Sequence, residues 1–358
     1  MIRWPSPDPR LEIVRHFDDD NAVRFEAGQI EAGETRQGHV ESYFMRANDP
    51  KRARALWLKA TIYAPKVGRR QADVWCALFD GDHTEQPTWA QRQTVPFEQA
   101  RFEGEPLSIS IAGCDFLFSP GGGHAQGRLA GCQWDLRWEN TPAPLGAPLS
   151  LYPKPSLETG FFPRSKLLTP APVCHVRGTL SWPGEQEWSL NRWPGMQGHN
   201  WGREHAHEYT WGQCIFPDAR GEPLCMVEGF SGRVAIAGVV SPAMSAMVVR
   251  RKDETYRFDR VFRLWRQKAR TRDLRWELQL RGEAGQALLV MEAQPERVVL
   301  LGYRNPDGTL AYCFNSKLAR TVLRVNPAEG EPFQCVSEHG GALEFLRPQG
   351  DARFGEPL

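Results

Sequence analysis

Leu56-Trp57-Leu58-Lys59-Ala60-Thr61-Ile62-Tyr63 alternates side chains of two faces, and Asp73-Val74-Trp75-Cys76-Ala77-Leu78-Phe79-Asp80 follows after a basic turn. A period of two places Leu56, Leu58, Ala60 and Ile62 on one face, as in a half-buried strand. The same rhythm extends outward through Leu107 to Ile111, Phe116 to Phe118 and Leu129 to Trp138. It resumes in Tyr209 to Phe216, Leu224 to Phe230, Ala235 to Val240, Ala246 to Arg250, Leu274 to Leu280 and Leu288 to Ala293, and closes with Arg320 to Val325. Closely spaced turns predict an all-β chain of antiparallel barrels or sandwiches. The best helix candidate is Arg92 to Arg101, and Pro96 argues against it. Gly121-Gly122-Gly123 is followed by His124, with no phosphate-binding lysine, and reads as a turn.

The stretch from Thr141 to Pro172 is Pro-rich and interrupts the rhythm. Because proline cannot donate to a ladder, it is expected to form no central strand but a strap packed down through Leu149, Leu151, Phe161, Phe162, Leu167 and Leu168. The domain change is placed at Trp193-Pro194-Gly195, giving an N-terminal domain 1–193 with its strap at 141–172 and a C-terminal domain 194–358.

Composition narrows the partners. With 44 Lys+Arg against 43 Asp+Glu, the net charge of +1 lacks the footprint of a nucleic-acid binder. The Arg/Trp mix from Arg260 to Arg275 is interleaved with acids and reads as a solvated strand pair. An apolar fraction of 41% with 13 Trp opposes disorder. The longest uncharged apolar run, Val234 to Val249, is too short to span a bilayer and is broken at Ser241-Pro242, so two strands and a turn are expected. The start at Met1-Ile2-Arg3-Trp4-Pro5 has no signal-peptide core. Eight scattered cysteines without a CxxC are expected as free thiols of a soluble, cytoplasmic protein, with peripheral membrane contact left open.

Chemistry concentrates in Gly198-His199-Asn200-Trp201-Gly202-Arg203-Glu204-His205-Ala206-His207-Glu208-Tyr209-Thr210-Trp211-Gly212-Gln213. Two further groups are Glu41 in Glu41-Ser42-Tyr43-Phe44 and Glu228, a lone carboxylate on the apolar run Leu224 to Phe230. Two mechanisms fit. In the first, His199, Trp201, Glu41 and Glu228 line one apolar cavity, where a desolvated carboxylic acid protonates an olefin or enol and the Trp faces stabilise the cation. In the second, His199, His205 and His207 hold a divalent metal. Against both stand plainer roles: His199 and Asn200 satisfying backbone groups, Glu228 pairing with a buried Arg, Glu41 bridging two strands.

Four pieces of the chain resemble the tandem lipocalin-like superfamily that includes carotenoid hydratases, tocopherol cyclases and lipocalin-like Diels–Alderases. They are Glu41-x-Tyr43-Phe44, Phe162-Pro163-Arg164-Ser165-Lys166, the central His199-Asn200-Trp201-Gly202 with Tyr209-x-Trp211-Gly212-Gln213, and Tyr312-Cys313-Phe314-Asn315-Ser316-Lys317. The resemblance implies two packed lipocalin-like barrels and a pocket for an isoprenoid- or polyketide-like molecule. It implies a His-x-Trp pair, matched by His199 and Trp201, and a downstream acid, for which Glu228 stands; Met226 occupies the place of a nearby tyrosine. The expected activity is a hydratase, isomerase or cyclase acting by protonation without a cofactor, with Tyr43, Asn200, Tyr209, Trp211 and Gln213 contacting an apolar ligand. A passive lipid or isoprenoid carrier is the alternative, and a metal-dependent lyase the third.

Overall fold

The computed structural model describes residues 38–83, 85–154, 156–159, 163–184, 187–233, 235–236 and 239–358. Phe161, Phe162, Val234 and the first residues of the chain lie outside them. Strands β1 (His39–Asn48), β2 (Arg54–Ala64), β3 (Gln71–Asp80), β4 (Thr88–Pro96), β5 (Arg101–Glu103), β6 (Leu107–Ile111), β7 (Cys114–Ser119), β8 (Gly122–Leu129), β9 (Cys132–Asn140), β10 (Ser165–Ser181) and β11 (Trp188–Gly202) form an 11-stranded antiparallel sheet. The chain then passes to a 10-stranded sheet. It holds β12 (Glu208–Pro217), β13 (Pro223–Arg233), β16 (Met244–Arg251), β17 (Glu254–Phe258), β18 (Lys268–Arg272), β19 (Arg275–Gly282), β20 (Gly285–Glu292), β21 (Val299–Arg304), β22 (Leu310–Pro327) and β23 (Phe333–Arg347). Between β13 and β16, the two-residue strands β14 (Ala235–Ile236) and β15 (Val239–Val240) pair only with each other. The expected single strand Ala235 to Val240 is thus a small hairpin.

Each sheet curls on itself. Tyr43, on a central strand of the first sheet, reaches Phe102 and Phe118 of its far arm, with ring centroids 6.2 and 6.1 Å apart. In the second, Trp276 Nε1 on β19 donates across the interior to Ser231 Oγ on β13 at 3.3 Å. Alternation decides what faces where. Tyr43, Met45, Leu56, Leu58, Ala60 and Ile62 fill the first barrel. The opposite faces of the same strands supply Phe44, Trp57 and Trp75, which pack with Trp211, Leu301 and Tyr303 in the seam between the barrels.

The objection that Pro96 raises to a helix over Arg92 to Arg101 holds, since strand β4 runs to Pro96 and one 3-10 turn, Phe97–Gln99, follows. Two expectations are corrected. Pro170 and Pro172 lie inside β10, which sits between β9 and β11. The ladder to β11 shifts register between Leu168 and Cys174, and pairing with β9 starts only at Cys174, so the missing N–H groups interrupt no regular ladder. The change of sheet falls at 203–207 instead of 193/194, because Trp193-Pro194-Gly195 lies within β11 and Gly195 to Gly202 pairs with β1.

The front of the Pro-rich stretch does behave as a strap. Leu145, Leu149 and Leu151 pack on Ile215, Met226 and Val248 of the second barrel. The Arg250 guanidinium fastens it by donating to the carbonyls of Leu145 at 3.3 Å, Pro148 at 3.0 Å and Ala147.

Candidate functional site

The motif around His199 is built by two neighbouring strands. β1 and β11 run antiparallel with Tyr43 opposite His199 and Glu41 opposite Trp201, so all four side chains share one face. That face is the interior of the first barrel. The His199 ring stacks on Tyr43 at 4.6 Å and 13° and on Trp201 at 4.6 Å and 27°. Glu41 accepts from His199 Nε2 at 2.9 Å and from the Tyr43 hydroxyl at 2.7 Å on one oxygen, and from His39 Nε2 at 2.9 Å on the other. Burial pushes the Glu41 carboxyl up, but the hydrogen bonds from His199 and His39 and the field of both imidazoles outweigh it. The group is held well below the usual carboxylate range. A carboxylate in this state is a fixed anion and donates no proton near neutrality.

Gly202 ends the motif for a backbone reason. Its φ is +154°, and a Cβ there would lie 2.0 Å from the Arg164 carbonyl oxygen. Only glycine allows that approach of β11 to the start of β10.

Glu228 is in a different place. Along β13, Val227 points into the second barrel, so Glu228, like Met226, points out toward the seam and the strap. Its Oε1 accepts from Thr169 Oγ1 of the first sheet at 2.8 Å and from Trp211 Nε1 at 3.1 Å. Its Oε2 is buried without a hydrogen-bond partner. Burial pushes this carboxyl up to about 7, against the hydrogen bonds from Trp211 and Thr169 and the charges of Arg250 and Arg46. With Oε1 holding two donors, the proton of the neutral acid belongs on Oε2. The expectation that His199, Trp201, Glu41 and Glu228 line one cavity is therefore corrected. The first three meet inside the first barrel, and the sheet itself separates them from Glu228.

Around Glu228 the seam is polar and closely paired. Gln213, opposite Glu228 in register, accepts from Arg46 on Oε1 and donates through Nε2 to the Pro172 carbonyl at 2.8 Å. Its amide joins the two barrels and is not open to a ligand. Arg46, 1% exposed, also donates to the Gln213 carbonyl at 3.2 Å and to Asn48 Oδ1. Burial lowers Arg46 to about 10, so it stays charged. Tyr209 packs on Phe230 and donates to Glu344 at 3.4 Å, beside the buried Lys317–Glu344 ion pair at 2.7 Å. Asn200 is on the outward face of β11, its Oδ1 buried without a partner.

The histidines of the metal alternative are not brought together. His199 is enclosed in the first barrel, His205 stacks on Tyr303 at 5.1 Å, and His207 is exposed. Among the described residues no group of three metal-ligating side chains forms.

Four seam residues escaped sequence reasoning: Arg46, Lys59, Thr169 and Glu344. Lys59 carried a usable signal, since it is a lone charge on an alternating strand, as Glu228 is. Its ammonium lies 4.1 Å from the centre of the Tyr303 ring and 5.5 Å from those of Trp57 and Trp75. Burial lowers it to about 8. It lines a small crevice of about 50 Å³ with Thr61, Asp73 and Tyr303.

No family model matches the chain. It is 26% identical over 283 residues to an uncharacterized protein of Mycobacterium tuberculosis found in strains CDC 1551 / Oshkosh and ATCC 25618 / H37Rv, covering 79% of this chain and 80% of that one. Among solved structures it is similar to CghA crystallised with Sch210972, at TM-score 0.58 and 12% identity over 87% of this chain and 88% of that one. Kievitone hydratase from Nectria haematococca matches at TM-score 0.52 and 11% identity, over 87% and 89% of the two chains. NE1406, an AttH-type protein of Nitrosomonas europaea, matches at 0.53 and 10%, over 89% and 97%. These neighbours share the fold of this chain, which is that of two packed lipocalin-like antiparallel sheets.

Proposed function

We propose that this chain is a hydratase, isomerase or cyclase that acts by protonating an apolar, isoprenoid-type small molecule, with Glu228 as the acid. The observation that carries the reading is the state of Glu228: a buried carboxyl near half-protonation at neutral pH, with one oxygen fixed by two donors and the other unpartnered. An acid poised close to ambient pH is the most effective proton donor. The Oε2–H bond breaks as a C–H bond forms on the olefin. The cation left on the neighbouring carbon is closed by water or by an internal double bond, and a proton lost from that water or from carbon returns to Glu228. The hydrogen bonds from Thr169 and Trp211 strengthen as negative charge develops on the carboxylate, so they favour the transition state over the ground state. Gln213 and Arg46 hold the two barrels in register around this acid. His199, Glu41, Tyr43 and Trp201 are positioning residues in this reading: they fix β1 and β11, whose outer faces form one wall of the seam.

Linear isoprenoid alcohols and prenylated phenols, incubated with the protein in D2O, test the proposal. Wild type is expected to place deuterium on carbon, and Glu228→Gln to lose that activity by about 100-fold or more. The infrared carbonyl band of a protonated carboxylic acid is expected at pH 6 in wild type and absent from Glu228→Gln. Equal exchange in the two proteins, or a Glu228 already ionised at pH 6, overturns the assignment. Tight binding with no exchange in either protein favours the carrier.

A further inference from the structure

The seam leaves one region of the second barrel unexplained. Between β17 and β18 a single 3-10 segment, Val261–Arg266, crosses the outside of the barrel. With three residues per turn, side chains three apart share a side. Leu264 packs inward against the cluster of Leu145, Ile215, Met226 and Val248. Phe262 and Trp265 therefore share an outer side, and they are 84% and 53% exposed, unusual for rings of this size. Arg263 and Arg266 share the third side and open onto a cleft of about 920 Å³. Lys268, Arg281 and Arg324 also line that cleft, whose floor includes Phe333 and whose lining holds no carboxylate. None of these five cations has a carboxylate partner among the described residues. Gln267 braces the wall, donating to the Arg281 carbonyl at 3.2 Å and accepting from its N–H at 2.9 Å.

We infer that this segment is a membrane-docking wedge: Phe262 and Trp265 enter the interfacial layer of an anionic bilayer while the basic cleft beside them holds an anionic lipid headgroup. Two exposed rings with arginines on the neighbouring side suit the boundary between headgroups and acyl chains. A nucleic-acid track needs a continuous basic path. Here the positive field is confined, because its surroundings are neutralised by ion pairs such as Arg260–Glu283 and Arg275–Glu292. The inference stands apart from the proposed chemistry at Glu228, although an apolar substrate would be at hand in such a bilayer.

Co-sedimentation of the full chain with phosphatidylcholine vesicles, with and without phosphatidylglycerol, tests it. Binding is expected only with phosphatidylglycerol and should weaken as salt rises. The double variant Phe262→Ser/Trp265→Ser should bind at least about tenfold more weakly with its β circular dichroism unchanged. Arg263→Gln/Arg266→Gln should also lose about tenfold and become less sensitive to salt. Failure to bind anionic vesicles, or full binding by the aromatic double variant, overturns the inference. So does displacement from vesicles by free glycerol phosphate at low concentration, which would make the cleft a soluble-phosphate site. Binding of a single-stranded oligonucleotide in place of vesicles overturns it in favour of RNA.

Discussion

Glu41 and Glu228 are both almost completely buried, yet they are driven to opposite protonation states. Burial alone would raise both. Glu41 stands on the inner face of the first barrel with two imidazoles and a phenol aimed at it, which makes the anion the stable form. Glu228 stands in the seam with two neutral donors on one oxygen and no partner on the other, which leaves desolvation in command. The depth of a carboxyl therefore says little about its chemistry. The number and charge of the donors that reach it decide whether it serves as a brace or as an acid.

The comparison can be broken most sharply by exchanging amide for carboxyl at each site. Glu228→Gln should abolish carbon-bound deuterium exchange while leaving the protein as stable as wild type or more so at pH 8. Glu41→Gln should act first on stability, and on exchange only through the loosened wall of β1 and β11. It leaves the imidazoles of His199 and His39 facing an amide in place of the carboxylate, so unfolding in urea should show a loss of about 1.5–3 kcal/mol, the range for hydrogen bonds to a charged group.

Stability against pH separates the two groups next. The folded pKa of Glu228 lies above its unfolded value, so the folded state holds the extra proton. Its contribution is lost as pH rises from about 4.5 through about 7, a change on the order of 3 kcal/mol. Glu41 has the opposite sign, its contribution being present above about pH 4.5 and lost as pH falls below that. Urea midpoints from pH 3 to pH 9 should show both slopes in wild type and only the acid one in Glu228→Gln. A neutral-range slope that persists in that variant would assign it elsewhere. The smallest expected effect is that of Thr169→Val, which removes one of the two donors to Oε1 and costs about 1 kcal/mol. It should move the Glu228 titration to higher pH, visible in the carboxylic-acid infrared band; an unmoved band would show that Trp211 alone sets the acid.

The alternation of Leu56 to Tyr63 and Asp73 to Asp80 was enough to anticipate β2 and β3, because period-two patterning is a local property. The pairing of Glu41 with His199 was not local, since these residues are far apart in sequence and only the β1–β11 register brings them together. Their grouping with Glu228 failed for the same reason: a sheet has two faces, and the parity of each side chain decides which barrel or seam it enters. Pro170 and Pro172 misled because a rule about regular ladders was applied to an irregular strand. The domain change was misplaced at Trp193-Pro194-Gly195 because a turn signature sat inside β11. Phe262 and Trp265 fell inside a mixed-charge stretch whose period-three arrangement appears only once Leu264 is seen to be anchored.

Arg250 holds the strap by its carbonyl oxygens, not by its side chains. Main-chain recognition of this sort is indifferent to which residues the strap carries. Leu145 is still held by its packing on Ile215, Met226 and Val248, and Gly146 by the Thr141 carbonyl oxygen, which a Cβ would approach to 1.7 Å, but the fastening leaves Ala147 and Pro148 free to vary. A single arginine thus fastens a cover over the seam whose side chains at Ala147 and Pro148 can change while its grip does not.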